Sequence, residues 1–501
     1  MKPLKILIFV FFVFSFLMVL SIFFPSKGIR LSPNLTLSFP DISNIDSTRK
    51  TESFDFYSIL SHEVAPVKWK SEIKIEDKNN NVEQSSEPET KKEVIKESGI
   101  IIQDEIDFSS LLNESFPIEY GNSGTNELDN FFKSLQISLA SDQRTRIIHY
   151  GDSQIEEGRI SRTLRNNFQK RFGGKGSGLF PLKHINNNSL SILRSFSKNW
   201  QTFSLFNESQ AYLRKSGFGV LTEFSRFEPV SFKSDGKAIR GAWLKISQIE
   251  NNSANIAFDR LQLFLSDVSS PLIVELFVNN SFKGVKSINS NRSLQALTWN
   301  FDSPPNNIQI NFRGNKSPDI YGLSLEGSSG VVLDNIALRG SSGLGFSNMN
   351  TALIKSMHEM MNVKLIIFQF GINLVRGQLN DYSGYEEELY NQLSNLRNIS
   401  PDVSILVIGL SDMSKKINGR YESYPNIELI RNAQKNAAFR SGCAFFDLFE
   451  AMGGKNSMVQ WVNAYPSLAR KDFAHFNLEG DKLVAGIIYN AIIQEYENFD
   501  N

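Results

Sequence analysis

Cysteine is nearly absent: Cys443 is the single thiol in 501 residues. That excludes an intramolecular disulfide and leaves no cysteine cluster to hold zinc. It lies in an apolar run ending at Phe446, where a buried, inert thiol is expected. Histidine is also scarce, with five in the chain, and His62, His184 and His358 have no carboxylate or cysteine company suggesting a metal site. Net charge of either sign is missing, because 53 Lys and Arg balance 53 Asp and Glu. No overall field therefore draws the chain to nucleic acid or an acidic surface, and no local basic patch replaces it. There is no repeat of fixed period. The glycine-rich Gly173–Gly178 stretch lacks phosphate-loop spacing and follows a helical pattern instead of opening one, so a flexible connection is expected there.

Long apolar runs are missing too, with one exception. Ile6 to Phe24 carries no charge and only Ser15 and Ser21 as polar interruptions. As a helix it would span roughly 28 Å, close to the apolar thickness of a bilayer. Lys2 and Lys5 precede it, which keeps the N-terminus cytoplasmic by the positive-inside rule. The expectation is an uncleaved single-pass anchor in the cytoplasmic membrane, with a cleaved signal peptide as the rival. Either way the rest of the chain is exported, to the periplasm or cell surface.

The pattern divides the chain into an anchor (1–27), a disordered tether (28–125), and an α/β segment (126–184). A β-rich block (185–335) and a second α/β segment (336–501) follow. The tether is densest in Lys, Glu, Asn and Ser between Glu72 and Glu97, which cannot bury enough apolar surface to order itself. Order is expected to begin near Asn126, where Leu128, Phe131, Phe132, Leu135 and Leu139 fall at helical spacing. Arg146–Tyr150 reads as a strand and Glu157–Arg171 as a helix. Short strands then recur from Ala242–Ile246 to Val331–Leu333, with a hairpin at Asn279-Asn280-Ser281; this predicts a β-sandwich. After Gly345, apolar strands alternate with helices, the mark of a parallel sheet covered on both faces. The β-rich block is thus an insertion splitting one α/β domain. Trp200, Trp243 and Trp299 within it could stack on sugars or fill a core, and sequence alone leaves both open.

Ligands of an open α/β sheet sit beyond the C-terminal ends of its strands. Three segments fall there: Gly151-Asp152-Ser153, Gly371-Ile372-Asn373, and Asp472-Phe473-Ala474-His475 just before the last helix. A serine hydroxyl needs a base to take its proton, and histidine titrates in the right range. A carboxylate on the other ring nitrogen fixes the tautomer and stabilises the imidazolium. Ser153, His475 and Asp472 are the candidate triad. Asp152 is expected to bond neighbouring backbone, and His149 to face the core or a strand neighbour.

Ile148–Gln154 resembles the first conserved block of SGNH (GDSL-type) hydrolases, Gly371–Asn373 their glycine-x-asparagine block, and Asp472–His475 their final Asp-x-x-His block. Gln154 stands in place of the signature's leucine, and Leu374 where many members carry an acid. The long stretch Arg165–Pro181 and the inserted β-domain are similar to bacterial peptidoglycan O-acetylesterases, whose insertion resembles a carbohydrate-binding module. The resemblance implies a three-layer, flavodoxin-like α/β fold on a parallel sheet, interrupted by the β-sandwich. It further implies an oxyanion hole made by the Ser153 N–H, a glycine N–H of Arg339-Gly340-Ser341-Ser342-Gly343, and the Asn373 side chain. Gly340 is the carried-over glycine, with Gly343 the alternative.

The function so implied is removal of O-acetyl groups from a cell-envelope polysaccharide, with no cofactor and no metal. Two rivals remain. One is an O-acetyltransferase using the same triad, fed by a membrane acyl-donor protein; the other is a non-catalytic glycan-binding protein.

Overall fold

The computed structural model describes residues 29–32, 35–37, 110–121, 126–183, 192–207, 217–234, 237–248 and 257–500. The apolar run Ile6–Phe24, the Glu72–Glu97 stretch, His62 and His184 lie outside them. No helix among the described residues is long and apolar enough to cross a membrane. The chain forms two compact units, 1–99 and 100–501. In the first, β1 (Ile29–Ser32) and β2 (Leu35–Leu37) make an antiparallel hairpin.

The second unit opens with a 3-10 turn at Ser110–Leu112, then β3 (Ile118–Glu119), α1 (Asp129–Ala140), β4 (Arg144–Gly151) and α2 (Arg159–Phe172). The β-rich block runs through β5 (Gly178–Phe180), β6 (Ile192–Phe196), β7 (Trp200–Ser204), β8 (Glu223–Phe227), β9 (Val230–Ser234) and β10 (Lys237–Gln248). It continues with β11 (Arg260–Ser266), β12 (Leu272–Val278), β13 (Ser281–Ile288), β14 (Gln295–Asn300), β15 (Asn307–Arg313) and β16 (Asp319–Glu326). Then come β17 (Gly330–Ala337), α3 (Thr351–Met361), β18 (Val363–Gln369), α4 (Ser383–Ile399), β19 (Ser404–Ile408), β20 (Ser414–Ile417) and β21 (Arg420–Ser423). The chain closes with α5 (Ile427–Arg440), β22 (Ala444–Phe446), α6 (Leu448–Ala451), α7 (Ser457–Asn463) and α8 (Leu478–Asp500).

One sheet has the order β17-β4-β18-β19-β22-β3, parallel throughout except for β3 at its edge. Alternation along its strands buries both faces. Ile147, Leu365, Ile367, Leu406 and Ile408 enter the core under α1, α2 and α8. Ile148, Tyr150, Ile366, Phe368, Ile405 and Val407 enter the core under α3, α4 and α5. This is the near-continuous apolar strand that a sheet sandwiched between helices requires.

The inserted block is a sandwich of two antiparallel sheets, β13-β12-β15-β10-β6 and β14-β11-β16-β8-β7, with β9 and β5 attached at β10 and β16. Leu261, Leu263 and Leu265 of β11 face the partner sheet. Phe264, between them, points the other way into the core shared with the α/β sheet. Trp200 lies in the sandwich core, edge-on to Phe227 and Phe312, and its Nε1 donates to the Trp243 carbonyl.

Four expectations need correction. First, the tether is not structureless up to residue 125. Beyond the β1–β2 hairpin, Leu111 and Ile118 are buried against the α/β core, and β3 pairs antiparallel with β22, so the sheet is mixed. A two-residue strand leaves almost no periodic signal. Second, the insertion runs from Gly178 to Glu326 and not from 185 to 335. β5 pairs with β16, whereas β17, taken as a sandwich strand, lies parallel to β4 over its whole length. A short apolar run reads alike in a sandwich core and in a buried parallel strand. Third, the Gly173–Gly178 connection is a packed seam. A Cβ at Gly174 would stand 2.3 Å from the Val331 carbonyl oxygen, and one at Gly176 would stand 2.2 Å from that of Leu325. Fourth, Leu139 is exposed on α1, while Leu128, Phe131, Phe132 and Leu135 are buried as their spacing predicts.

The sandwich is also not independent of the α/β sheet. Phe218, Val220, Leu221, Phe224 and Tyr321 share one core with Ile148, Tyr150 and Phe368, and the Tyr150 hydroxyl donates to the Val220 carbonyl at 2.7 Å. A buried ionic cluster joins them too. Arg146 of β4 donates to both oxygens of Asp334 on β17 at 2.8 and 3.0 Å, and to Glu326 at the end of β16.

Candidate active site

Strand order decides what meets what. β4 lies between β17 and β18, so the loops after these three strands emerge side by side at one sheet edge. They carry Ser153 (after β4), Gly340 (after β17) and Asn373 (after β18). The Leu338 N–H donates to the Gly151 carbonyl at 2.7 Å, tying the first two loops together.

Ser153 sits in a tight turn, with the Ile155 N–H donating to the Asp152 carbonyl and the Glu156 N–H to that of Ser153. Asp152 is buried and its Oδ1 accepts from the Gln154 N–H at 3.0 Å. Burial pushes that carboxyl up to about 7, against the pull of the Gln154 N–H. Its work is to hold the turn. Gly151 cannot be larger, because a Cβ would stand 2.8 Å from Ile155 and 2.9 Å from the Gln369 carbonyl oxygen.

The Asp472–His475 loop reaches the same place from the chain's far end. His475 Nε2 lies 2.9 Å from Ser153 Oγ, and His475 Nδ1 lies 2.8 Å from Asp472 Oδ2. Asp472 Oδ1 accepts from the N–H groups of Ala474 and His475, both at 3.1 Å. Partial burial would raise this carboxyl, but the His475 ring and the two N–H donors outweigh it and hold it below the usual range. It is therefore ionised at neutral pH, as a partner for imidazolium must be. The loop is fixed from outside as well: Phe473, at φ 56°, stacks on Tyr421 of the β20–β21 hairpin at 3.6 Å. The Ser414 N–H donates to the Phe473 carbonyl. Asn477 caps α8 by accepting from the N–H groups of Glu479 and Gly480.

Asn373 stands in the 3-10 turn Ile372–Gly377, and its side-chain amide donates to the Ser341 carbonyl at 2.8 Å. The two glycines of the β17 loop differ. The Gly343 N–H donates to the Ser341 hydroxyl, and a Cβ there would meet Phe368 at 2.8 Å. Gly340 has nothing within 4 Å of that position and lines a cleft of about 590 Å³. Packing thus places Gly340, and not Gly343, on the open side of the loop.

Gln154 was underrated by the sequence. It is buried, and its amide donates to the Ser411 hydroxyl at 2.7 Å and the Ala474 carbonyl at 3.3 Å. It ties the serine turn to the residue before His475. The one signal was a polar residue where the family signature has leucine. His149 is buried, with Nε2 3.0 Å from Gln369 Oε1 and Nδ1 2.8 Å from Ser161 Oγ; burial pushes it down to about 4, so it stays neutral. His358 is likewise buried, 2.8 Å from Ser400 Oγ. Cys443 is buried and its thiol is pushed up to about 12 by burial, hence unreactive.

A hydroxyl, an imidazole and an ionised carboxylate in one hydrogen-bonded row at a sheet edge can carry out proton-coupled nucleophilic attack. Among solved structures, a peptidoglycan O-acetylesterase is similar over 76% of this chain and 99% of its own, at 19% identity and a TM-score of 0.59. The chain has the SGNH-hydrolase fold. At that identity the likeness speaks for the fold alone. A salicylyl-acyltransferase from a tetracycline biosynthetic pathway (10% identity, 62% of this chain and 96% of its own, TM-score 0.27) is far more distant. So is a family two carbohydrate esterase from Clostridium thermocellum (11%, 52% and 93%, TM-score 0.22). Neither carries an argument. No family model and no curated protein matches the sequence.

Proposed function

We propose that this SGNH-fold chain is a serine esterase that removes acetyl groups from a cell-envelope glycan such as peptidoglycan. The observation that carries the reading is the unbroken row Ser153 Oγ, His475 Nε2, His475 Nδ1, Asp472 Oδ2, with spacings of 2.9 and 2.8 Å across its two contacts. In this reading Ser153 Oγ attacks the acyl carbonyl while His475 takes its proton and Asp472 holds the ring. His475 then gives that proton to the departing sugar oxygen. Water, deprotonated by His475, attacks the acyl-enzyme, and acetate leaves as Ser153 recovers its proton. The oxyanion is received by the N–H groups of Ser153 and Gly340 and by the Asn373 amide. That amide leaves the Ser341 carbonyl, 2.8 Å away in the free site, or shares its second N–H. The glycan substrate is supported by the fold's likeness to an enzyme of that substrate and by the cleft between sandwich and sheet.

The test gives the purified chain O-acetylated oligosaccharide, with and without a second sugar as acceptor. Free acetate supports the esterase. Acetylated acceptor would make it a transferase, and neither product would leave a glycan-binding protein. Replacing Asn373 by alanine is expected to lower kcat by about 10²–10³-fold, the usual effect of losing one oxyanion donor. A change confined to KM would make Asn373 a binding residue instead.

The Ile6–Phe24 run leads us to place the enzyme on the outer side of the cytoplasmic membrane, held by a single helix. The full chain is expected to sediment with membranes and resist salt extraction, because an apolar helix is not held by charge. Release of a mature form beginning near Pro25 would make the run a signal peptide.

A further inference from the structure

The cleft beside Gly340 has walls of two origins. The α/β sheet supplies the end of β17 and the loop after it, from Asn335 to Leu344, while the inserted sandwich supplies Pro181, Phe206 and Glu223 among others. Glu223 is the first residue of β8 and stands opposite Ser204 of β7. Its Oε1 is buried and has no hydrogen-bond partner among the described residues. Buried polar atoms in folded proteins are nearly always satisfied, so an orphaned carboxyl oxygen in a cleft wall marks a place where a donor is to arrive. The nearby cation does not serve. Arg194 acts on Glu223 only through its field, and its Nη1 donates at 2.7 Å to the Pro181 carbonyl. Burial pushes the Glu223 carboxyl up to about 8, with Arg194 pulling it down. At neutral pH it is mostly protonated, able to donate as well as accept, which suits a neutral hydroxyl better than an ion. The same cleft reaches Gly340, Ser341 and Ser342, and the Ser341 carbonyl holds the Asn373 amide, which joins the cleft to the loop that receives the oxyanion in the esterase reading. Phe206 and Leu344 offer the apolar surface on which the C–H face of a sugar ring rests.

We propose that Glu223 is a specificity residue contributed by the inserted domain, its carboxyl hydrogen-bonding a hydroxyl of the sugar that carries or adjoins the ester. This rests on the esterase reading above and adds a sugar hydroxyl to what the site recognises in its substrate. It also gives the sandwich a part in the site itself, beyond distant attachment to polymer.

The experiment compares kcat/KM of the full chain on an O-acetylated N-acetylglucosamine oligomer and on 4-nitrophenyl acetate, which has no sugar. In Glu223→Ala the ratio of the two is expected to fall about tenfold, the usual scale for one lost hydrogen bond. Glu223→Gln, which keeps a donor and an acceptor, is expected to hold the ratio within about threefold. An unchanged ratio in Glu223→Ala, including one where both activities fall equally, overturns the proposal. If the wild-type chain cleaves neither ester, the esterase reading fails. Calorimetric titration of the oligomer then judges Glu223 by itself. Binding about tenfold weaker in Glu223→Ala than in the wild type upholds it. Equal affinities, or no binding to the wild type, overturn it.

Discussion

Replacing Ser153 by alanine is expected to lower acetyl-ester turnover on the order of 10⁵–10⁶-fold, as loss of the nucleophile does in serine hydrolases with a Ser-His-Asp triad. The change removes one half-buried hydroxyl whose partner is His475 Nε2, at 2.9 Å. Its contribution to packing is slight, so thermal unfolding is expected to shift by no more than about 0.5 kcal/mol. Groups that act as a unit are not additive. The Ser153→Ala/His475→Ala double variant should therefore be scarcely slower than either single variant. The Asp472→Asn variant keeps the contact to the ring but favours the wrong tautomer, and a loss of about 10⁴-fold is expected. Turnover retained in Ser153→Ala, with an unchanged circular dichroism spectrum, would remove the basis of the esterase reading. Losses that multiply in the double variant would mean that the two residues act in separate steps.

The second large effect concerns stability. Arg146→Met should destabilise the fold by about 3–5 kcal/mol, because it leaves two buried carboxylates without their shared cation. Arg146, Asp334 and Glu326 are all essentially inaccessible to solvent. Asp334 keeps the Leu179 N–H at 2.7 Å and the field of Arg165, and Glu326 keeps the Ser324 hydroxyl, the Gln262 amide at 2.8 Å and the partly exposed Arg144 and Arg260. Burial already raises the Asp334 carboxyl, and the Arg146 charge is the largest influence opposing it. The expected fall in Tm for a unit of this size (residues 100–501) is roughly 4–6 °C, read by circular dichroism on heating. Neutralising all three, as Arg146→Met with Asp334→Asn and Glu326→Gln, should recover most of the loss, since no uncompensated charge then stays buried. A small effect of Arg146→Met by itself would show that water reaches the cluster. That would weaken the view that it clamps the sandwich to the sheet. The cluster also argues against excising the insertion as a module. Doing so would remove Glu326 from Arg146 and strip Phe224 and Tyr321 from a core they share with Ile148 and Phe368.

What can be read along the chain is whatever depends on near neighbours. The apolar period of β4, β18 and β19 and the turns after them are local, so the sequence by itself determined an α/β sheet with Ser153 and Asn373 at strand ends and the Asp472–His475 pair in the loop before the last helix. The Asp472–His475 contact belongs to the same class, because three residues in one loop can close it. Contacts between distant segments were not legible. The β3–β22 pairing rests on two residues with no pattern of their own. β17 reads as a sandwich strand in sequence but pairs in parallel register with β4, because burial on both faces gives the same apolar run in either setting. That Gly340 and not Gly343 faces the cleft turns on Phe368 and the Ser341 hydroxyl filling the space around Gly343. Gln154 acquired its role only when folding set Ser411 and the Ala474 carbonyl beside it. Glu223 could not have been singled out from its neighbours in sequence. Only the tertiary structure sets its carboxyl in the wall of the cleft, with Oε1 buried and without a partner among the described residues. Local chemistry thus named the candidate reacting groups. The cleft beside them was decided by tertiary packing, because a cleft wall is made of residues that meet only in space.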